Sequence, residues 1–199
     1  MRAPSAKRAL DLTGSLLLLL LLAPVLAVCA AAVALTSPGG AFFRQARAGR
    51  LGEPFEMLKF RTMRASATAE RAALAARNDS DGHLFKMLDD PRVTPVGRVL
   101  RRFSLDELPQ LVNVVRGEMS LVGPRPLPVE DSGYQGLALG RLKALPGMTG
   151  LWQVSGRSDL PWDEMVLLDL DYVDRHCLAL DLTILARTVP AVLTARGAR

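Results

Sequence analysis

The sequence is poor in the residues on which several common kinds of functional site depend. Its two cysteines, Cys29 and Cys177, form no CxxC pair, so neither a disulfide framework nor a zinc site is indicated. Neither His83 nor His176 lies beside a convincing nucleophile, which gives little support to Ser-His-Asp or Cys-His hydrolysis. Aromatic residues make up only 5% of the chain and no nucleic-acid-binding motif is present, so we expect no nucleic acid partner.

Charge is missing from one long segment. No charged side chain occurs from Leu12 to Thr36, a run of 25 residues, although charged residues make up 23% of the whole chain. The net charge of +5 is concentrated after this run, because residues 44–102 contain 13 basic and 7 acidic residues. A basic region next to an apolar segment is typical of a protein that meets anionic lipid headgroups or phosphate ligands at a membrane.

The apolar run predicts a membrane segment. As a helix it would extend about 37 Å, enough to cross a hydrocarbon core of about 30 Å. Pro24 lies near its middle, removes a backbone hydrogen bond and predicts a kink. Basic residues flank both ends about equally, so the positive-inside rule favours neither orientation. The residues alone leave open a spanning anchor, a helix that bends at Pro24 and returns to the same face, and a signal sequence, although the run is longer than a typical h-region.

The rest of the chain predicts one α+β domain. Extended segments at residues 41–43 and 54–60 surround a glycine-containing stretch and predict a β-hairpin. Three prolines make residues 120–128 a stiff extended loop that carries Arg125. No internal repeat or long linker divides this region. Helices are expected over 68–77, 96–103, 111–115, 161–176 and 180–195, and a strand over 149–154.

Two adjacent carboxylates, Asp106 and Glu107, lie just before the helix predicted at residue 111. Ser104 and Glu107 match the S-x-x-E capping box, and acidic residues at a helix N-terminus also complement its dipole. The alternative interpretation is chemical, because carboxylates act as nucleophiles in phosphoryl transfer and bind Mg²⁺. Spacing alone leaves both interpretations open.

Several basic side chains are candidates for binding phosphate. Arg125 lies between two prolines, so its backbone loses little freedom on binding, and its guanidinium suits phosphate oxygens. Lys59 and Arg61 alternate in a predicted strand, which would place both on one face. Each of the three is equally consistent with a solvated surface charge. Together with the carboxylates and the apolar run, they predict phosphate chemistry on a lipid substrate.

Six motifs follow one another between about residue 6 and residue 190. They are Lys7-Arg8 with Asp11, KFRTM at 59–63, DPRVT with Gly97 at 90–97, LRRFSLDELPQLVNV at 100–114, MSLVGPRP at 119–126 and PGMTGLWQVSGR at 146–157. In this order they closely resemble the motifs of the bacterial sugar transferases, the monotopic phosphoglycosyl transferases.

The resemblance implies an activity and a set of site residues. The reaction would transfer a sugar-1-phosphate from a UDP-sugar to polyprenyl (undecaprenyl) phosphate, release UMP by a ping-pong mechanism, and initiate glycoconjugate or exopolysaccharide assembly. Asp106 would be the nucleophile that holds a covalent phosphosugar, Glu107 would assist it, and both would position Mg²⁺. Arg125 would clamp phosphate. Further phosphate-binding candidates are Arg101, Lys59 and Arg61.

The resemblance also implies a place at the membrane. The family's helix is re-entrant, kinked at a Ser-Pro pair, and enters and leaves on the cytoplasmic face; here the pair is Ala23-Pro24, which lacks the serine hydroxyl. We therefore expect residues 1–36 to form a re-entrant membrane helix and residues 37–199 a cytosolic catalytic domain, at the inner (cytoplasmic) membrane of a bacterium. The chain is expected to be the small, catalytic-core form. Membrane lipids and downstream glycosyltransferases would be its partners.

Two other functions compete with this one. A multi-spanning sugar-phosphate transferase would need many hydrophobic segments, whereas the sequence has a single run. A non-catalytic scaffold tethered to the membrane would use the basic region to bind anionic lipids. Release of UMP from a UDP-sugar would distinguish an enzyme from the scaffold. No motif identifies the sugar or an oligomeric state.

Overall fold

The N-terminal apolar run folds as two helices that meet at an angle. The computed structural model describes residues 5–77, 87, 89–129 and 134–194. Helix α1 spans Ser5–Leu21 and helix α2 spans Ala23–Thr36. Pro24 lies in the first turn of α2, where it cannot donate to the turn before it. The kink predicted at Pro24 is therefore confirmed.

In the part of the chain that the structure describes, no single helix is both long and apolar enough to cross a membrane. The segments Ala6–Leu21 and Ala23–Thr36 meet these requirements only together, and they are bent by 65°. Large apolar side chains remain exposed on both, among them Leu17, Leu20 and Val28.

A β-hairpin follows the helices. Strand β1 (Phe42–Ala48) pairs antiparallel with strand β2 (Pro54–Phe60) through the turn at Arg50–Gly52. The predicted hairpin is confirmed. Its first strand is longer than the predicted 41–43, because every residue of β1 has a partner on β2.

The helix predicted over 68–77 is divided in two. Helix α3 covers only Ala67–Glu70, and Ala72–Arg77 is a 3-10 helix. The amides of Arg71 and Leu74 each bond to the carbonyl three residues earlier, which is the tighter 3-10 pattern. Alanine-rich composition thus predicted helical backbone but not one continuous α-helix.

Two helices bracket the acidic pair. Helix α4 (Pro95–Arg102) begins where the Thr94 side chain accepts a hydrogen bond from the Gly97 amide. Helix α5 (Gln110–Arg116) ends at Gly117, whose φ of 84° suits glycine at a helix end. Both helices agree with the ranges predicted over 96–103 and 111–115.

A second, two-stranded sheet is parallel. Strand β3 (Ser120–Val122) pairs with strand β4 (Gly147–Thr149). The strand predicted over 149–154 is wrong beyond Thr149, because residues Leu151–Ser155 form helix α6. After β3 the chain soon reaches Pro124, which has no N–H with which to extend the ladder.

Two longer helices close the described fold. Helix α7 spans Trp162–Arg175 and helix α8 spans Leu178–Leu193, close to the predicted 161–176 and 180–195. Together with the two small sheets they confirm the α+β class. The main core joins residues of β2, α5, β3, α7 and α8 with Met119, which lies just before β3: Met57, Leu111, Val114, Met119, Leu121, Val122, Tyr172 and Ile184.

Helix α1 is tied to this core by polar contacts. The buried Lys7 ammonium donates to Asp181 at 2.7 Å and to the Tyr172 hydroxyl at 3.2 Å. One turn later, the Asp11 carboxylate accepts from the Ser120 hydroxyl at 2.9 Å. The start of the N-terminal helix is therefore fixed against β3, α7 and α8.

Candidate active site

Asp106 and Glu107 lie on one 3-10 turn, Leu105–Glu107, directly before α5. Ser104 precedes the turn with φ 54°, a left-handed backbone that L residues rarely adopt. Its side chain makes no capping hydrogen bond. The capping-box interpretation is therefore wrong, because α5 begins only at Gln110 and the Glu107 side chain contacts basic residues instead.

Glu107 lies between two cations from distant parts of the chain. The Lys59 ammonium, on β2, donates to Glu107 Oε1 at 3.0 Å. The Arg125 guanidinium donates to both carboxylate oxygens, and its Nη1 is 3.0 Å from Oε2. Burial would raise the pKa of Glu107, but the charges and hydrogen bonds of Arg125 and Lys59 outweigh it and hold this pKa well below its usual value. Glu107 is therefore an ionised group held in a fixed orientation.

Asp106 has a different environment from its neighbour. Its residue surface is 8% exposed, and no hydrogen bond reaches its carboxylate from any residue that the structure describes. Burial raises the pKa of Asp106, and the negative charge of Glu107 adds to this effect, whereas Lys59, Arg101 and Arg125 oppose it. The result is a buried carboxylate with unoccupied oxygens in a cluster of positive charge.

Arg101 also belongs to this cluster. It lies in the last turn of α4, and its Nε donates to the Thr62 hydroxyl at 3.0 Å. Burial lowers the pKa of Arg101, and the charge of Asp106 is the largest effect that opposes the shift. The helix packs closely here, since a Cβ added at Gly97 would lie 2.1 Å from the Thr62 carbonyl oxygen. That close approach brings Arg101 to the acidic pair.

Arg61 is not brought to the carboxylates. Strand β2 ends at Phe60, so the alternation expected to place Lys59 and Arg61 on one face does not extend to Arg61. The Arg61 guanidinium is exposed and donates to the carbonyls of Gly39, Gly40 and Phe42. Its contacts stabilise the turn that leaves α2.

Arg157 is a neighbour of the site for which the sequence predicts no role. It has φ 55°, one of three non-glycine residues with positive φ in the described chain. Burial lowers the pKa of Arg157, and the charge of Glu107 opposes this shift. Its position at the end of the 146–157 motif was the available signal. A strained backbone beside a charged cluster is typical of a functional position.

The carboxylates fit a divalent metal through Asp106. Among the described residues, no three His, Cys, Asp or Glu side chains form a group that could hold a metal ion. The Asp106 oxygens accept no hydrogen bond there, whereas both Glu107 oxygens already face cations. Mg²⁺ commonly binds one or two carboxylates together with substrate phosphates, so this donor set suits a metal that arrives with a phosphate substrate.

The arrangement is suited to reactions at phosphorus. Lys59, Arg101 and Arg125 surround Asp106 closely enough to influence its pKa. Such positive charge in a shielded site stabilises phosphate oxygens as charge shifts among them. A neighbouring carboxylate without hydrogen bonds is available as a nucleophile.

Comparison with known proteins identifies the family of this chain. The family model of the bacterial sugar transferases matches residues 2–195. The chain belongs to this family. It is therefore an enzyme, a phosphoglycosyl transferase, and the scaffold hypothesis is not retained.

The sugar transferase is similar to curated proteins over nearly its whole length. It is 43% identical over 199 residues to the exopolysaccharide production protein ExoY of Rhizobium meliloti, covering 96% of this chain and 87% of the relative. It is 44% identical over 201 residues to a UDP-glucose:undecaprenyl-phosphate glucose-1-phosphate transferase of Caulobacter vibrioides, covering 96% and 71%. For an undecaprenyl-phosphate galactose phosphotransferase of Salmonella typhimurium the identity is 42% over 199 residues, covering 96% and 41%.

Proposed function

We propose that this enzyme transfers a sugar-1-phosphate from a UDP-sugar to undecaprenyl phosphate, or to another polyprenyl phosphate, and releases UMP. The names of the Caulobacter and Salmonella relatives support a nucleotide-sugar donor and a lipid-phosphate acceptor. The name of the Rhizobium relative supports a role in exopolysaccharide production. The structural observation that carries the proposal is Asp106, a buried carboxylate free of hydrogen bonds to described residues and surrounded by cations.

The reaction proceeds in two displacements at one phosphorus atom. First, an Asp106 carboxylate oxygen attacks the phosphorus that carries the sugar, the bond to the bridging oxygen breaks, and UMP leaves with the electron pair. Second, a phosphate oxygen of the lipid attacks the same phosphorus, and the Asp106 carboxylate leaves. The product is a polyprenyl diphosphate sugar. No net proton is required when both phosphates react as anions, and two displacements predict ping-pong kinetics.

Glu107 and the basic residues have separate tasks in this scheme. Arg125 and Lys59 bind the oxygens of the diphosphate, and Arg101 offsets charge at the attacked phosphorus. Glu107 keeps Arg125 and Lys59 oriented before the substrate arrives, because it already holds both. Arg61 remains a phosphate-binding candidate from sequence only, since its Nε and Nη2 already donate to the turn that leaves α2.

Mg²⁺ is the proposed cofactor. Asp106 would hold the metal. Glu107 would also hold it when Lys59 or Arg125 moves from Glu107 to a substrate phosphate. The metal would neutralise diphosphate charge.

We further propose that α1 and α2 form a re-entrant membrane helix, with residues 37–199 as the catalytic domain on the cytoplasmic face of the inner membrane. The 65° bend and the exposed leucines support this topology. Cysteines introduced as Ala6→Cys and Thr194→Cys, each in a Cys29→Ala, Cys177→Ser background, test it with a membrane-impermeant thiol reagent. Labelling of both from the same side is expected. Labelling from opposite sides would establish a spanning anchor instead.

The reaction is tested by UMP release from a panel that includes UDP-glucose and UDP-galactose, with purified protein, undecaprenyl phosphate and Mg²⁺. Donor labelled in its sugar and incubated without acceptor should leave label on the wild-type protein and none on Asp106→Asn. Asp171→Asn, which changes an exposed carboxylate on α7, is the matched control and should label normally. Label retained on Asp106→Asn would remove Asp106 as nucleophile. If no UDP-sugar of the panel yields UMP, the proposed reaction is overturned.

A further inference from the structure

Two other arginines donate hydrogen bonds to the backbone of the loop that carries Arg125. Arg141, on the 3-10 helix Gly136–Lys143, donates from Nη2 to the Arg125 carbonyl oxygen at 3.2 Å. Arg47, on β1, donates from Nη1 to the carbonyl oxygen of Pro126 at 3.1 Å. Two successive carbonyls of one loop are thus fixed by charged donors from two different elements.

Arg141 is itself fixed by a deeply buried ion pair. Its Nε and Nη2 are 2.8 Å and 2.6 Å from Asp169 Oδ2, and the two side chains are only 2% and 0% exposed. The guanidinium carbon also lies 5.8 Å from the ring centre of Tyr134 and 5.4 Å from that of Trp162. Asp169 and Trp162 belong to α7, so the contacts join that helix to the Arg125 loop.

The buried pair of Arg141 and Asp169 carries a large desolvation cost. Arg141 Nη1 and Asp169 Oδ1 are buried and make no hydrogen bond with any described residue. Burial raises the pKa of Asp169 to about 6, despite the adjacent Arg141 charge. Apolar residues of similar size often stabilise a core as well as a buried ion pair does, so its presence points to a need for orientation.

We propose that Arg141 is a positioning residue, which Asp169 holds in place, and that it fixes the main chain of Arg125 so that the Arg125 guanidinium meets Glu107 and the substrate diphosphate in one orientation. This rests on the proposed function, in which Arg125 binds that diphosphate. The loop is suited to such control, because the flanking prolines restrict its backbone. A displacement of about 1 Å at a substrate-binding group is enough to reduce a rate about 10²-fold.

The test is a double-mutant cycle on kcat/KM for the UDP-sugar of the panel that releases most UMP. Arg141→Lys keeps the charge but loses the fork that reaches Asp169 and the Arg125 carbonyl together. We expect kcat/KM to fall by about tenfold or more in the wild-type background and by less than about twofold in an Arg125→Lys background. Equal losses in the two backgrounds would overturn the proposal, since a general structural defect does not depend on Arg125.

Two further variants guard against misfolding. Asp169→Asn keeps an acceptor for Arg141 without the charge and should show the same dependence on Arg125, with a smaller loss. Arg175→Lys changes the exposed ion pair between Arg175 and Asp171, which lies on α7 as Asp169 does. It should leave kcat/KM unchanged in both backgrounds. A loss in Arg175→Lys as large as that in Arg141→Lys would also overturn the proposal.

A crystal structure of Arg141→Lys, or of Asp169→Asn where the lysine variant does not fold, gives a readout that needs no activity. We expect the Arg125 guanidinium to leave Glu107 in that variant. An unchanged Arg125–Glu107 contact would overturn the positioning role even if the wild-type enzyme is active. Absence of UMP release by the wild type, together with a displaced Arg125, would overturn the proposed function and leave the positioning role supported.

Discussion

Single residues at this site show how sequence neighbours acquire opposite properties. Asp106 and Glu107 are adjacent, yet burial and Glu107 raise the pKa of Asp106, while Arg125 and Lys59 overcome burial to lower that of Glu107. The difference arises from which carboxylate the basic side chains contact directly. Glu107 is thereby suited to orient cations and Asp106 to react, a division that no spacing rule predicts.

Replacing Glu107 should change the pH dependence of the enzyme. In Glu107→Gln the negative charge beside Asp106 is lost while Lys59 and Arg125 remain, so the pKa of Asp106 should fall. The acidic limb of kcat/KM should then move to lower pH, although the rate at pH 8 falls about 10²-fold because Arg125 loses its orienting partner. Profiles of UMP release against pH measure both effects. Glu56→Gln, which changes an exposed pair with Arg44, is the control, and a limb that stays or moves to higher pH contradicts the assignment.

The left-handed backbone at Ser104 should make this position sensitive to side-chain shape. Ser104→Gly removes the steric cost of φ 54° and should leave the free energy of unfolding within about 1 kcal/mol of the wild type. Ser104→Val should lower it by about 1–2 kcal/mol, because a β-branched residue is disfavoured there. Denaturant unfolding measures both. Ser155→Val, in helix α6, provides a control without left-handed strain. If Ser104→Val is no worse than Ser155→Val, strain at Ser104 is refuted.

At the scale of elements, one side chain joins the strand of Lys59 to the helix after Glu107. Asn113, on α5, is fully buried; its Nδ2 donates to the Glu56 carbonyl and to Glu118 Oε2, both at 2.7 Å, and its Oδ1 accepts from the Leu58 amide at 3.0 Å. These three bonds use both ends of the amide. They hold β2 against α5 and thereby keep Lys59 within reach of Glu107.

Asn113→Asp should weaken this junction by about 2–3 kcal/mol, because an oxygen replaces the donor that faces two acceptors. The free energy of unfolding from denaturant curves measures the loss. Adding Glu118→Gln supplies a new donor and should restore part of it. A double variant that is no more stable than Asn113→Asp alone would show that the contact with Glu118 is not what makes the carboxylate unfavourable.

Some elements could be predicted from the sequence and others could not, depending on whether nearby or distant residues determine them. The hairpin and the helices α4 and α5 depend on nearby residues, and the predictions there are confirmed. The strand over 149–154 is wrong beyond Thr149, where helix α6 begins at Leu151. The capping box at Ser104 is wrong because Glu107 contacts distant basic residues instead. The cations that hold Glu107 lie 48 residues before it and 18 after it, beyond the reach of any local pattern.

At the scale of the whole molecule, Lys7 connects the N-terminal helix α1 to the α+β fold. Its ammonium also bonds the Val122 carbonyl at 3.1 Å, so it contacts β3 as well as α7 and α8. Asp181 is 1% exposed and pairs with Lys7 at 2.7 Å. Removal of either charge alone leaves the other buried without its counter-ion, which is more costly than the absence of both.

Lys7→Met should therefore lower the apparent free energy of unfolding in detergent by about 3 kcal/mol, and Lys7→Met with Asp181→Leu should recover most of that loss. Arg175→Met, which breaks an exposed pair on α7, should change it by less than about 1 kcal/mol.

The same substitution should also affect lipid binding, because α1 is part of the proposed membrane segment. Lys7→Met should raise KM for undecaprenyl phosphate more than KM for the UDP-sugar. Equal changes in the two KM values would mean that Lys7 stabilises the fold without positioning the site relative to the lipid.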